Sequence, residues 1–130
     1  MRLLDTNVLI HGLQGREPTT SRLRAASPTE VAISSVAFYE LEYGTLKTAD
    51  PRRKAALTDF LAKLRVIPFD AAAAREAARV RIDLERRGLA IGPLDLLIAG
   101  TALSRSATLV TGNTGEFRRI AGLRVEDWSK

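Results

Sequence analysis

Five short apolar runs, "MRLL", "EVAIS", "RVIPF", "ATLVT" and "LRVEDW", punctuate this chain, and the segments between them read as helices. That alternation is the strongest constraint on the fold. Parallel strands cannot be joined by a tight turn and need a crossover, usually a helix. The expectation is an α/β fold, a mainly parallel sheet with helices on both faces, in one domain over residues 1–130.

The helix boundaries carry their own signals. A helix is expected from about Asn7 to Leu13, then a turn-rich break at "GREPTT" and a helical turn from Ser21 to Ala26. Ser34 or Ser35 suits the N-cap of a helix reaching Lys47. Asp50-Pro51 places a capping acid before a proline at the first helical position, and this helix continues to about Leu64. The clearest helix runs from Ala71 to Arg87, capped by Asp70 and ended by Gly88. Another covers Leu94 to Ser104, and "GNTGEF" is a loop or short helix. The proline in "RVIPF" argues for an edge strand.

Composition narrows the function. There is no cysteine, which excludes disulfides and thiolate metal sites and is compatible with a cytoplasmic protein. The single histidine, His11, makes a histidine-based zinc site a poor expectation and is given no role. No apolar run approaches the length of a membrane span, and Asp5 interrupts the first apolar stretch before a signal peptide could form. Lysine and arginine number 20 against 15 acids, a net charge of +5. A basic domain of this size suits a polyanion, nucleic acid before anionic membrane, although an arginine-rich solvated surface accounts for the charge equally well.

In open α/β sheets ligands sit outside the carboxyl ends of the strands, so the polar residues that follow strands deserve weight. Asp5 follows "MRLL" at once; it is either a helix cap or a functional acid, because a buried carboxylate needs a partner, a cap or a metal. Asp95 heads a helical stripe of Ile98, Ala99 and Ala102, an apolar face made to pack. An ordinary surface acid would point away from that face, which favours function over a favourable helix dipole. Glu40 and Glu42 lie roughly 200° apart on their helix, so both cannot reach one site, and periodicity does not choose between them. Asn113 and Glu116 follow the fourth apolar run among glycines that permit a tight turn.

Taken together, Asp5, Asp95 and Asn113 or Glu116 fall on one expected edge of the sheet. Converging carboxylates repel unless a cation neutralises them. Oxygen ligands favour Mg²⁺ or Mn²⁺ over zinc. An acidic, metal-loaded pocket on a basic protein suits a phosphodiester: the metal offsets charge where cleavage occurs, and flanking phosphates meet Arg and Lys.

These blocks, "LLDTNVLI", "SSVAFYELEYG", "GPLDLLIAGTAL" and "LVTGNTGEFRRIAGLRVEDW", in this order, resemble the PIN-domain ribonucleases, and more narrowly the VapC toxins of bacterial toxin–antitoxin pairs. The resemblance covers both ends and the middle of the chain. It implies an α/β/α sandwich with a Mg²⁺- or Mn²⁺-dependent endoribonuclease site. It carries the family's acids onto Asp5, Glu40 and Asp95, with Asp5 and Asp95 as metal ligands, and leaves Glu42 on the surface. The fourth position falls on Asn113, a neutral ligand where the family has an acid. Glu116, one helical turn later, is the candidate for the missing charge, and this departure points to one metal ion rather than two. Glu40 is then expected to orient or deprotonate the attacking water, with Thr6, Asn7 and Thr111 ordering the acids by hydrogen bonds. The resemblance further implies 5′-phosphate and 3′-hydroxyl products, homodimers, structured RNA such as tRNA as substrate, and a VapB-type antitoxin whose C-terminal segment covers the acids.

Arg52, Arg53, Lys54, Arg118 and Arg119 are candidate phosphate contacts, each as readily explained by a solvated basic face. Phe38, Tyr39, Phe117 and Trp128 read as core or dimer-interface residues. Two other classes compete with a nuclease. A binding-only PIN-like RNA module is favoured by Asn113 and opposed by the three acids. A phosphoacceptor receiver domain would need adjacent acids after the first strand and an acceptor Asp after the third, where Asp70 reads instead as a cap.

Overall fold

The computed structural model describes residues 1–130. Five strands, β1 (Arg2–Leu4), β2 (Val31–Ser34), β3 (Val66–Ile67), β4 (Thr108–Val110) and β5 (Arg124–Glu126), form one parallel sheet in the order β3-β2-β1-β4-β5. The helices are α1 (Thr6–Leu13), α2 (Thr19–Ala25), α3 (Ser35–Lys47), α4 (Pro51–Ala62), α5 (Ala71–Arg86), α6 (Pro93–Ser104) and α7 (Thr114–Phe117). The α/β reading with a parallel sheet therefore holds.

Strand residues alternate between two cores, as the pleat requires. Leu3, Ala32 and Leu109 pack with Val80, Leu84, Ile98 and Ala102 of α5 and α6. Leu4, Ile33 and Val110 pack on the other side with Val8, Leu41 and Leu61 of α1, α3 and α4. Burial on both faces explains why β2 is apolar almost throughout rather than alternating. Helices α5 and α6 meet closely at Gly100, where an added Cβ would lie 2.6 Å from the Ala73 carbonyl oxygen and 2.7 Å from the Ala77 Cβ.

Capping follows the sequence. Asp5, Ser34, Asp50 and Asp70 each accept a hydrogen bond from a backbone N–H in the first turn of the helix they precede. Ser34 rather than Ser35 is the cap; Ser35 Oγ instead accepts from the Phe69 N–H at 3.0 Å. Gly88 ends α5 with φ of 68°.

Three boundaries differ from expectation. Helix α2 starts at Thr19, inside the expected break, because the buried Thr20 hydroxyl donates to the Gly12 carbonyl at 2.8 Å. Strand β5 stops at Glu126; the chain then turns so that Trp128 enters the core beside Leu4 and Val110, its Nε1 donating to Glu126 at 2.9 Å. Strand β3 is only two residues long, at the sheet edge, before Pro68. Strand β1 lies between β2 and β4. The doubly wound phosphoacceptor order places the first strand beside the third, so the topology separates this chain from that class, and Asp70 is an N-cap.

Candidate active site

The chain builds outward from β1 in one direction through β2 and β3, then crosses back to add β4 on the other side. The carboxyl ends of β1 and β4 thus flank the point where strand order reverses, the place where open α/β sheets bind ligands. Asp5 is the first residue beyond β1, and its N–H continues the ladder by donating to the Val110 carbonyl at 2.9 Å. Thr111 is the first residue beyond β4.

Both oxygens of the buried Asp5 carboxylate are occupied. Oδ1 accepts from the Thr6 N–H at 2.8 Å and Oδ2 from the Thr111 hydroxyl at 2.8 Å. The Thr6 hydroxyl donates to Glu40 Oε1 at 2.8 Å, tying α3 to the start of α1. On the other side the Asn113 N–H donates to Thr111 Oγ1 at 3.0 Å, and Asn113 Nδ2 donates to Glu116 Oε2 at 3.0 Å. Glu40, Thr6, Asp5, Thr111, Asn113 and Glu116 therefore form one continuous network across the end of the sheet.

Asp95 stands outside that network, half-buried in the first turn of α6. Its helix is held by Ile98, Ala99 and Ala102, all buried in the core beneath the sheet. Burial, followed by the negative charges of Asp5, Glu116 and Glu40, pushes its carboxyl up to about 6. Burial also raises Asp5, opposed by the hydrogen bonds from Thr111 and Thr6. Asp5, Glu116 and Glu40 thus stand close enough to disfavour the ionisation of Asp95.

The site brings together Asp5, Glu40, Asp95, Asn113 and Glu116. Glu42 is half-buried and makes none of the bonds that tie the network, and Asn7 is exposed. Thr6 and Thr111 are the donors that organise Asp5. Arg52, Lys54, Arg118 and Arg119 lie exposed on the surface. Arg53 lines, with Glu40, a groove of about 400 Å³ whose apolar wall includes Ile10, Leu13, Leu41 and Leu57. Leu13 is one of the exposed large apolar side chains, and it lies on this wall. Of the aromatics, Phe117 and Trp128 are core, whereas Tyr39 is exposed on α3 with Tyr43 and Leu46.

The donor set suits a hard cation: oxygen ligands only, with no cysteine in the chain. No three acids or histidines stand close enough to form a ready-made cage. Mg²⁺ commonly binds through one or two carboxylates and completes its shell with water and substrate phosphate, so the pair Asp5 and Asp95 fits such an ion.

Comparison with known proteins agrees with this architecture. The PIN domain profile matches residues 2–123. The chain is 40% identical over 128 residues to the tRNA(fMet)-specific endonuclease VapC of Shigella flexneri, covering 98% of this chain and 97% of that protein. It superposes on the VapBC2 structure from Rickettsia felis bound to a promoter DNA fragment with a TM-score of 0.87 at 35% identity, covering 98% of each chain. The DNA-bound VapBC of Salmonella typhimurium gives 0.86 at 37% identity, over 98% of this chain and 97% of that one. The chain therefore belongs to the PIN-domain family, on its VapC branch.

Proposed function

We propose that this protein is a Mg²⁺- or Mn²⁺-dependent endoribonuclease and the toxin of a toxin–antitoxin pair. The observation that carries the reading is the network running from Glu40 through Asp5 to Glu116 at the strand-order switch, with Asp95 facing its charge. Similarity to a VapC named as a tRNA(fMet)-specific endonuclease supports tRNA as the substrate class.

Asp5 and Asp95 are the residues that would hold the ion. When bound, the ion supplies Lewis-acid stabilisation of phosphoryl charge and makes water a better nucleophile at neutral pH. The chain's own residues do the positioning. Thr6 and Thr111 fix both Asp5 oxygens, so that carboxylate is pre-oriented before substrate arrives. Glu40 uses Oε1 to accept from Thr6, which leaves Oε2 to take a proton from an attacking water. Asn113 holds Glu116 toward the acids through its amide, so the fourth negative charge comes from Glu116. Water would attack phosphorus as the P–O3′ bond breaks, so the products would carry a 5′-phosphate and a 3′-hydroxyl.

The apolar groove beside Glu40 and Arg53 suits the C-terminal segment of a VapB-type antitoxin, and solved relatives are VapBC complexes. Exposed Tyr39, Tyr43 and Leu46 on α3 offer apolar surface for a homodimer. No helix is long and apolar enough to cross a membrane; we place the protein in the cytoplasm, where tRNA is found.

The deciding experiment is cleavage of tRNA by the purified protein with Mg²⁺ or Mn²⁺, compared with Asp5→Ala, Asp95→Ala and a chelated sample. Cleavage is expected only in the first. Activity that persists in both variants and under chelation defeats the metal mechanism. Binding without cleavage in every sample would establish the RNA-binding module instead.

A further inference from the structure

A second concavity adjoins the acids on the side away from the apolar groove. It is a cleft of about 450 Å³, within the roughly 300–1,000 Å³ range of small-ligand pockets. Asn7, His11, Asn113, Asp127, Trp128 and Ser129 line it, so most of its residues carry a polar group. Two walls are shared with the catalytic side. Asn113 is the residue that holds Glu116, and Asn7 lies one turn-residue beyond Thr6 at the head of α1. Gly112 forms part of the rim, and no atom lies within 4 Å of where its Cβ would stand, so the opening is wide there.

The lining of this cleft carries an oriented anion. Asp127 Oδ1 accepts from both the N–H and the hydroxyl of Ser129, at 2.8 and 2.6 Å. These bonds hold the carboxyl below its ordinary value, so it is ionised and an acceptor only at neutral pH. Its Oδ2 makes no hydrogen bond within the chain and remains available. The positive charges of Lys130 and Arg118 also act on this carboxylate, and its free Oδ2 attracts N–H donors. The geometry points to a nucleobase pocket for the nucleotide next to the cleaved phosphate, with Asp127 reading the donor edge of guanine. Guanine presents adjacent N1–H and N2–H donors, both of which can converge on the free Oδ2. Uracil presents one N–H flanked by two carbonyl oxygens, which the carboxylate repels. The pocket is therefore expected to prefer guanine most and uracil least. As a feature of RNA cleavage this rests on the nuclease reading; as base binding it stands by itself.

The test uses ¹⁵N-labelled full-length protein titrated with 5′-GMP and 5′-UMP. The two carry the same phosphate, so their difference reports the base. Gly112 and Ser129 line the cleft, so their backbone amides are the probes within it, whereas the single indole N–H, of Trp128, donates to Glu126 outside the cleft lining. GMP should shift the Gly112 and Ser129 amides and bind about tenfold more tightly than UMP. Asp127→Asn keeps an oxygen for Ser129 and puts a neutral amide NH2 donor in place of the free oxygen; it should remove most of guanine's advantage, with Asp127→Ala as a second variant. No shift at these positions, equal affinity for the two nucleotides, or an advantage that survives Asp127→Asn overturns the proposal. Cleavage of RNAs that differ only in the base beside the cut is the parallel arm. Cleavage with no base preference in wild type sinks the pocket and leaves the nuclease. Selective GMP binding without any cleavage sinks the nuclease and leaves the pocket.

Discussion

The Thr111 hydroxyl donates to Asp5 Oδ2 at 2.8 Å, joining the residue that follows β4 to the residue that follows β1 across 106 positions of sequence. Both residues are buried, and Thr111 Oγ1 also accepts from the Asn113 N–H. One hydroxyl thus orients the central acid and anchors the loop that carries Glu116.

Replacing it tests that double role. Thr111→Val keeps the shape but leaves a buried carboxylate oxygen and the Asn113 N–H without their partner. The cost should be about 1–3 kcal/mol in urea denaturation. Thr111→Ser restores the hydroxyl and should recover most of the loss together with cleavage activity.

The acid cluster predicts an inverted response to pH. Asp95 ionises near pH 6 in the folded protein, against 3.8 for the ordinary group. A folded carboxyl with a raised value binds more protons than the unfolded chain between these limits, so stability falls as pH rises through that window. Thermal melts of metal-free protein should show Tm decreasing from about pH 4 to about pH 6. Asp95→Asn should flatten that slope and raise Tm at neutral pH while abolishing cleavage. Added Mg²⁺ should raise Tm more at neutral pH than at pH 5, because the carboxylates must be ionised to bind it.

Helix α6 carries Asp95, and its seat on α5 depends on Gly100. A methyl at Gly100 would press on the Ala73 backbone and the Ala77 side chain at 2.6–2.7 Å, with no flexible chain end to yield. Gly100→Ala should destabilise the fold by roughly 1–3 kcal/mol, read as a lower urea midpoint. The displaced helix should lower cleavage at permissive temperature as well, since Asp95 moves with it.

The two glutamates of α3 should separate cleanly. Glu40→Gln preserves an oxygen for Thr6 but cannot take a proton, and kcat should drop by about 10²–10⁴-fold. Glu42→Gln should leave cleavage and melting temperature unchanged. Equal loss in both would place the α3 acid on the wrong face.

Much of this arrangement was legible one element at a time. Asp5, Asp70, Ser34 and Asp50 announced helix starts, because capping is a local matter of an oxygen within reach of free N–H groups. Asp95 stood out as an acid on an otherwise apolar stripe, and Ile98, Ala99 and Ala102 are indeed core. Glu40 and Glu42 were different: helical period states that they diverge but not which side of α3 meets the end of β1. The family resemblance, not the period, singles out Glu40, and in the fold only Glu40 is joined to the network, by the bond from Thr6. The loop after β4 was ambiguous for a similar reason, since Asn113 there reads as a turn former, a ligand or a strut. In the fold its amide donates to Glu116, a role that an aspartate could not fill.

The order of apolar runs and helix signals by itself determined an α/β chain with a doubly covered parallel sheet, because strand and helix periodicity are properties of neighbouring residues. Which strand ends became neighbours was decided only by tertiary structure. Placing β1 between β2 and β4 brings Asp5 against Thr111, and the packing of α3 and α6 turns Glu40 and Asp95 to the same end. Such convergence depends on sheet order and helix rotation, which are set by burial between residues far apart in the chain and leave no local trace.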